Sequence, residues 1–260
     1  MMLEGRLGSL KQYLFVIKQI SYKEHKKKTD ETNLGVLWNI LNPFLYMVIL
    51  STYYQNVIIH KIDNFPVFVF SGITIYNFYN SGTKGAMHSL VGNKNFLIKA
   101  KTPSEVYLLQ KVFSAFKEMM FSAVALIPIM LFFHIKVSWR VVQLVPILLL
   151  TIAAITGIGE ILAIVYVYFA DIDYLYSVFM TLMMFTSGVF IPIDHLPGRL
   201  QGILTYNPIF LSIYLVRNAL FYNLPSHWTV WLKLIIWAVC LVVLGHIVFE
   251  KNKNKLIGKL

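Results

Sequence analysis

Apolar stretches of about 20 residues, the length at which a helix crosses about 30 Å of hydrocarbon, recur six times along this 260-residue chain. They fall near 36–59, 65–90, 108–133, 141–168, 174–193 and 229–249. Glycine and proline within several of them would disturb a soluble helix but are common in membrane helices. The chain is 57% hydrophobic and 13% charged, against about 45–50% and about 25% in soluble domains. The expected fold class is an all-α integral membrane protein with six transmembrane helices.

The distribution of lysine and arginine sets the direction of the spans, because cytoplasmic connections carry the excess. Residues 1–33 hold seven: Arg6, Lys11, Lys18, Lys23, Lys26, Lys27 and Lys28. Lys94, Lys99, Lys101 and Lys111 surround the second connection, and Lys251, Lys253, Lys255 and Lys259 follow the last span. Lys61, then Lys136 and Arg140, then Arg199 and Arg217 belong to the sparser connections expected outside. Both termini are therefore expected on the cytoplasmic side. The net charge of +11 is explained by these flanks and by contact with anionic membrane lipids, without nucleic acid.

Leu10, Tyr13, Leu14, Ile17 and Ile20 recur at helical spacing opposite Lys11, Gln12, Lys18, Gln19 and Lys23, which predicts an amphipathic helix lying on the membrane surface. The chain then divides into a basic arm (1–33), a six-helix membrane domain (34–250) and a basic tail (251–260). The first 33 residues lack the continuous apolar core of a cleavable signal. Between Ile193 and Trp228 two apolar pieces, Leu200–Leu204 and Ile209–Val216, are too short to span. Among Pro192, Pro197, Pro208 and Pro225 they read as re-entrant or interfacial helices on the outer face. The single cysteine, Cys240, excludes an internal disulfide and reads as a small core residue.

Candidate chemistry is sparse. Thr102, Pro103 and Glu105 predict a helix starting at Pro103 with a capping box; just before it, Phe96, Leu97 and Ile98 lie between Asn95, Lys94 and Lys99 as an exposed apolar patch suited to a cytoplasmic partner. Asp171 and Asp173 could share a divalent metal as in some glycosyltransferases, but without further ligands nearby a capping or ion-pair role is favoured. Glu160 interrupts the fourth apolar window and must face protein or water, for structure or for transport. The histidines show no metal-binding spacing. Tyr46, Tyr53, Tyr54, Tyr76 and Tyr79 cluster in the first two windows; anchoring at the headgroup level accounts for such rings, and a pathway that stacks sugars against them is the second reading. No phosphate-binding P-loop, serine elbow or cysteine–histidine arrangement occurs. ATP hydrolysis and nucleophilic catalysis on this chain are thus not expected.

Read in order, these pieces resemble the membrane permease subunit of bacterial ABC exporters for polysaccharides and polyol phosphates. The strongest element is Leu34-Gly35-Val36-Leu37-Trp38-Asn39-Ile40-Leu41-Asn42-Pro43, similar to the family's Leu-Gly-x-x-Trp and Pro pattern opening the first span. Phe96 to Pro103, Ala170-Asp171, and Asn207-Pro208 followed by Arg217 support it; the family often has Arg-Asp at Ala170-Asp171 and Phe-Pro at Thr102-Pro103. The resemblance implies a homodimer in the bacterial cytoplasmic membrane, bound to two ATP-binding subunits that carry ATP and Mg. It implies a lipid-linked glycan moving outward between the two copies. Tyr13, Ile17, Asn95, Phe96, Leu97, Ile98 and Lys99 would then couple to the ATPase, and Trp38, Pro43, Glu160, Asp171 and Arg217 would act in structure or gating. The competing expectations are a membrane glycosyltransferase or phosphotransferase, and a permease for drugs or small lipids.

Overall fold

The computed structural model describes residues 15–19, 21–22, 26, 34–57, 64–94, 97, 103–192 and 197–256. The side chains of residues 36, 54–57, 200 and 254–256 lie outside this description. All regular structure among the described residues is helical. After a 3₁₀ turn at Gly35–Leu37 come α1 (Trp38–Val57), α2 (Phe65–Gly92) and α3 (Ser104–Phe132). A second 3₁₀ turn, Trp139–Gln143, leads into α4 (Leu144–Tyr168) and α5 (Ile172–Thr186). Two short helices, α6 (Gly198–Leu204) and α7 (Pro208–Arg217), precede α8 (Trp228–Leu256); α7 runs on through a π-helical turn, Asn218–Tyr222.

Among the described residues, three segments are long and apolar enough to cross a bilayer: Ser104–Phe132, Trp139–Tyr168 and Trp228–Lys253. Ile172–Thr186 and Pro208–Tyr222 are shorter apolar helices. The window expected over 174–193 thus folds as a 15-residue helix that rises only about 22 Å. Its end has a local cause: Gly188 adopts a left-handed φ of +65°, which suits glycine and stops a helix. At the other end of the chain, α8 continues through residues 251–256 of the expected tail.

The helices of the bundle meet through small residues. α4 packs along α8, and α2 along both α3 and α4. A Cβ on Gly157 would overlap the Leu241 carbonyl, and one on Gly245 would come within 2.5 Å of the Gly157 oxygen. On the α2 side, a Cβ on Gly159 would meet Ala86 at 2.5 Å, and one on Gly82 would meet Ile155 at 2.7 Å. Hydrocarbon gives helices no hydrophobic reason to associate, so this closeness supplies the van der Waals contact that holds them. The same reasoning explains Cys240, which is exposed on α8 and not in the core. Lipid is as apolar as protein, so an apolar run does not say which of its faces turns inward.

α7 is the buried element. Ile209, Phe210, Leu211, Ser212, Ile213, Leu215, Val216 and Arg217 are all buried, against α2, α8 and α4. Asn207 caps the helix, accepting from the Ile209 amide at 2.9 Å and the Phe210 amide at 3.4 Å, and its Nδ2 donates to Ser187 Oγ at 2.9 Å. Pro208 follows in the first turn, where a missing N–H costs nothing. Arg217 is not the solvent-facing charge of an outer connection; it is 5% exposed. Its guanidinium donates to the carbonyls of Gly188 (2.7 Å), Phe68 (2.9 Å) and Val189 (3.0 Å) and lies 3.4 Å from the Phe68 ring centre. Gly72 leaves the space it occupies, since a Cβ there would stand 2.5 Å from Nη2.

This packing separates two glycines that look alike in the sequence. Gly157→Ala forces α4 away from α8 and should destabilise the protein by about 1–3 kcal/mol. Gly92→Ala, with nothing among the described residues within 4 Å of a new Cβ, should stay within about 0.5 kcal/mol of the parent. Thermal unfolding in detergent micelles measures both, and equal effects would refute the close α4–α8 contact.

Candidate functional site

α1 touches the rest of the bundle through α2 and α3, and this seam holds a polar cleft. Its volume is about 180 Å³. α1 contributes Trp38, Asn39, Asn42 and Pro43, α2 contributes Asn77, Asn80 and Ser81, and α3 contributes Glu118 and Ser122. Each polar pair is spaced by three or four residues, which puts both members on one helix face. Asn80 Oδ1 is buried and accepts no hydrogen bond among the described residues.

The cleft is built around a missing donor. Pro43 sits inside α1 and has no N–H to give to the carbonyl four residues back. That carbonyl belongs to Asn39, and Ser122 Oγ of α3 donates to it at 2.6 Å. Interior prolines in membrane helices need such a substitute from a neighbour. One turn further along the same two helices an apolar groove of about 620 Å³ opens, with Ile40, Phe44, Met47 and Val48 on one wall and Ala125, Ile129 and Phe132 on the other.

The tyrosines separate into two groups. Tyr46 and Tyr53 are exposed on α1, at 46% and 59%, and the side chain of Tyr54 lies outside the described residues. Tyr76 and Tyr79 are core residues, 6% and 1% exposed. Tyr79 OH meets Ser212 Oγ at 3.1 Å, a hydroxyl that Thr151 also reaches at 3.1 Å, so α2, α4 and α7 join there. Tyr76 OH donates to the Met180 carbonyl at 2.8 Å. The expectation that these two rings line a sugar path is corrected here: their hydroxyls are occupied in fixing α7 and α5.

The ionisable candidates are likewise placed. Glu160 is buried on α4; its Oε2 has no hydrogen-bond partner among the described residues and packs where a Gly245 side chain would go. Asp171 is exposed and occupies the N-cap position of α5 without a side-chain capping bond. Asp173 in the first turn faces His88 of α2 at 3.4 Å, and a negative charge there favours the helix start.

The sequence matches the ABC-2 type transporter family over residues 16–221. The chain belongs to that family. Among curated relatives it is similar to an O-antigen export system permease protein RfbA of Klebsiella pneumoniae, 24% identical over 245 residues that cover 94% of each chain. It is also similar to a protein of the same name from Myxococcus xanthus, 24% identical over 216 residues, 82% of this chain and 83% of that one.

As an ABC-2 transporter the chain is a multi-pass protein of the bacterial inner membrane and a transport subunit. The described residues contain no group of three or more metal-binding side chains, and Asp173 is engaged with His88. Of the residues expected to couple to an ATPase, Ile17 and Leu97 are described, whereas Tyr13, Asn95, Phe96, Ile98 and Lys99 lie outside the described residues. Ile17 is half-buried in a helical stretch whose Ser21 is fully buried against Ser114 of α3, 2.8 Å between hydroxyls. Leu97 is half-buried against the main core and is not part of an exposed patch. Pro103 occupies the N-cap of α3, which starts at Ser104. Glu105 pairs with Lys253 of α8 at 3.6 Å, and Thr102, the expected capping residue, lies outside the described residues.

Sequence reading overlooked the cleft residues Asn39, Asn42, Asn77, Asn80, Glu118 and Ser122. The signal was present: amides and a carboxylate inside apolar windows, in pairs at helical spacing. The Pro43–Ser122 pairing yields a double-mutant test. Ser122→Ala removes a donor to the Asn39 carbonyl and should cost about 1–3 kcal/mol, whereas Pro43→Ala restores the helical donor. In that background the same serine change should cost less than about 0.5 kcal/mol. Additive losses in thermal unfolding would show that the serine does not serve the proline's carbonyl.

Proposed function

We propose that this ABC-2 transporter is the transmembrane permease subunit of an ATP-driven exporter that moves a lipid-linked polysaccharide from the cytoplasmic leaflet outward. The observation that carries this reading is co-extensive similarity, 94% of both chains, to a protein named for O-antigen export. The chain has no P-loop, so ATP and Mg would be bound by a separate ATP-binding partner, and a 2:2 assembly with two permease copies is the arrangement we favour.

In this reading α1, α2, α3, α4, α5 and α8 cross the membrane, with both termini cytoplasmic. Lysine placement supports that orientation, and the burial of Arg217 removes one charge from the outer count. The basic arm and the segment around Asn95 to Lys99 would meet the ATPase, with the Glu105–Lys253 pair tying the start of α3 to the end of α8 behind them. Of the aromatic candidates, Tyr46 and Tyr53 on the exposed face of α1 are the ones we assign to a pathway between two copies. ATP-driven closure of the partners would act by favouring one arrangement of the permeases over another.

Deleting the gene should abolish surface polysaccharide and leave its lipid-linked form inside the cell, with both restored by the intact gene. Immunoblotting of intact and lysed cells distinguishes the two pools. Normal surface polysaccharide in the deletion strain would refute the reading.

A further inference from the structure

Over residues 67–90, α2 turns no apolar side chain to its surroundings. The residues not buried there are Asn77, Asn80, Ser81, Lys84, Gly85 and His88. α3 and α8 by contrast expose Val124, Ile127 and Leu131, and Ile236 and Val239, as hydrocarbon requires. Asn77, Ser81, Lys84 and His88 follow at spacings of four, three and four residues, which makes one stripe along the helix. α1 and α3 border it at Asn77 and Ser81, and α5 borders it at Lys84 and His88. Amides, hydroxyls and a cation are costly to turn toward lipid, so the stripe faces water or a polar ligand.

Lys84 is the fixed charge of this stripe. It stands eight residues before the end of α2 at Gly92, about 12 Å along the helix. Its ammonium donates to Ser177 Oγ of α5 at 2.6 Å. Among the described residues no carboxylate pairs with it, and Asp173, one turn along α5, faces His88 at 3.4 Å. A bond to one serine needs no charge, and the ammonium has two further donors to give. A lysine at this depth is costly and calls for an anionic partner. In a bilayer the anion at hand is a phosphate ester borne by a lipid, which lysine binds as a point charge. We infer that Lys84 is an anion site on a polar path along α2, and that it takes the phosphate ester of a bilayer lipid or of a lipid-linked substrate. The path rests on the transport reading; the anion site does not.

The test uses the full chain with Cys240→Ser, which removes the one cysteine, and Ser81→Cys, in vesicles of phosphatidylcholine. The probes are an anionic and a cationic methanethiosulfonate, each rate being divided by that with a small free thiol. Both reagents should reach the new thiol, with the anionic one favoured about 10-fold at low salt. Lys84→Gln should bring that ratio close to one, and Lys84→Arg should keep it. Farnesyl phosphate in the vesicles should slow modification about 5-fold once most copies are occupied, and uncharged farnesol should not. Protection by phosphatidylglycerol as well would assign the site to phosphate lipids in general, and protection by farnesyl phosphate alone to a lipid-linked substrate. Modification as slow as with Val239→Cys, an anionic preference that survives Lys84→Gln, or no protection by either phosphate lipid would overturn the assignment. Protection is read with Lys84 in place, so it decides even if Lys84→Gln fails to fold. The assay needs neither ATPase nor export, so its failure would leave the transport reading untouched.

Discussion

Inside a bilayer every backbone N–H and C=O must find its partner within the protein, and the irregular points of this chain are organised by that requirement. Pro43 takes a donor from α1, and Ser122 of α3 bonds the Asn39 carbonyl in its place. The turn after α5 exposes the carbonyls of Gly188 and Val189, and Arg217 reaches them both. A guanidinium is costly to bury, but with three carbonyls and an aromatic face around it the charge is well accommodated. It holds α7 in the middle of the bundle. Without that clamp, and the Asn207 cap at the other end, a ten-residue helix would have little reason to stay there.

The rest of the bundle divides into a tight part and a loose one. α4 and α8 approach until glycine is the only residue that fits, and α2 joins them through Gly82 and Gly159. α1 and α5 make fewer contacts and present large apolar side chains outward. A transport protein needs elements that can move relative to a rigid frame, and these two helices are the ones the packing leaves least constrained. The polar cleft lies along the seam of α1 with that frame.

Much of this was legible in the sequence, and the failures have physical causes. The apolar windows located α1 to α4 and the start of α8 within a few residues, and the prolines of the fifth connection announced α6 and α7. What periodicity could not tell was which side of a helix faces lipid, because both environments are apolar; Cys240 and the buried pair Tyr76 and Tyr79 were therefore misjudged. Arg217 was counted as a loop charge because carbonyls gathered from two distant segments, α2 and the turn after α5, leave no local trace. Leu97 and Glu105 were assigned to an exposed patch and a cap, whereas contacts distant in sequence claim both. The asparagine pairs were visible at helical spacing but became a site only once three helices brought them together.

The central claim is that this chain is a passage whose direction and energy come from an ATP-binding partner. Its most direct test is reconstitution of the permease with and without its cognate ATP-binding subunit, in vesicles that carry a lipid-linked polysaccharide in the leaflet facing the ATPase. The account predicts that the polysaccharide becomes accessible to a glycan hydrolase on the opposite side only when both proteins and ATP are present. Equal transfer by the permease alone, or none with the complete system, would contradict it.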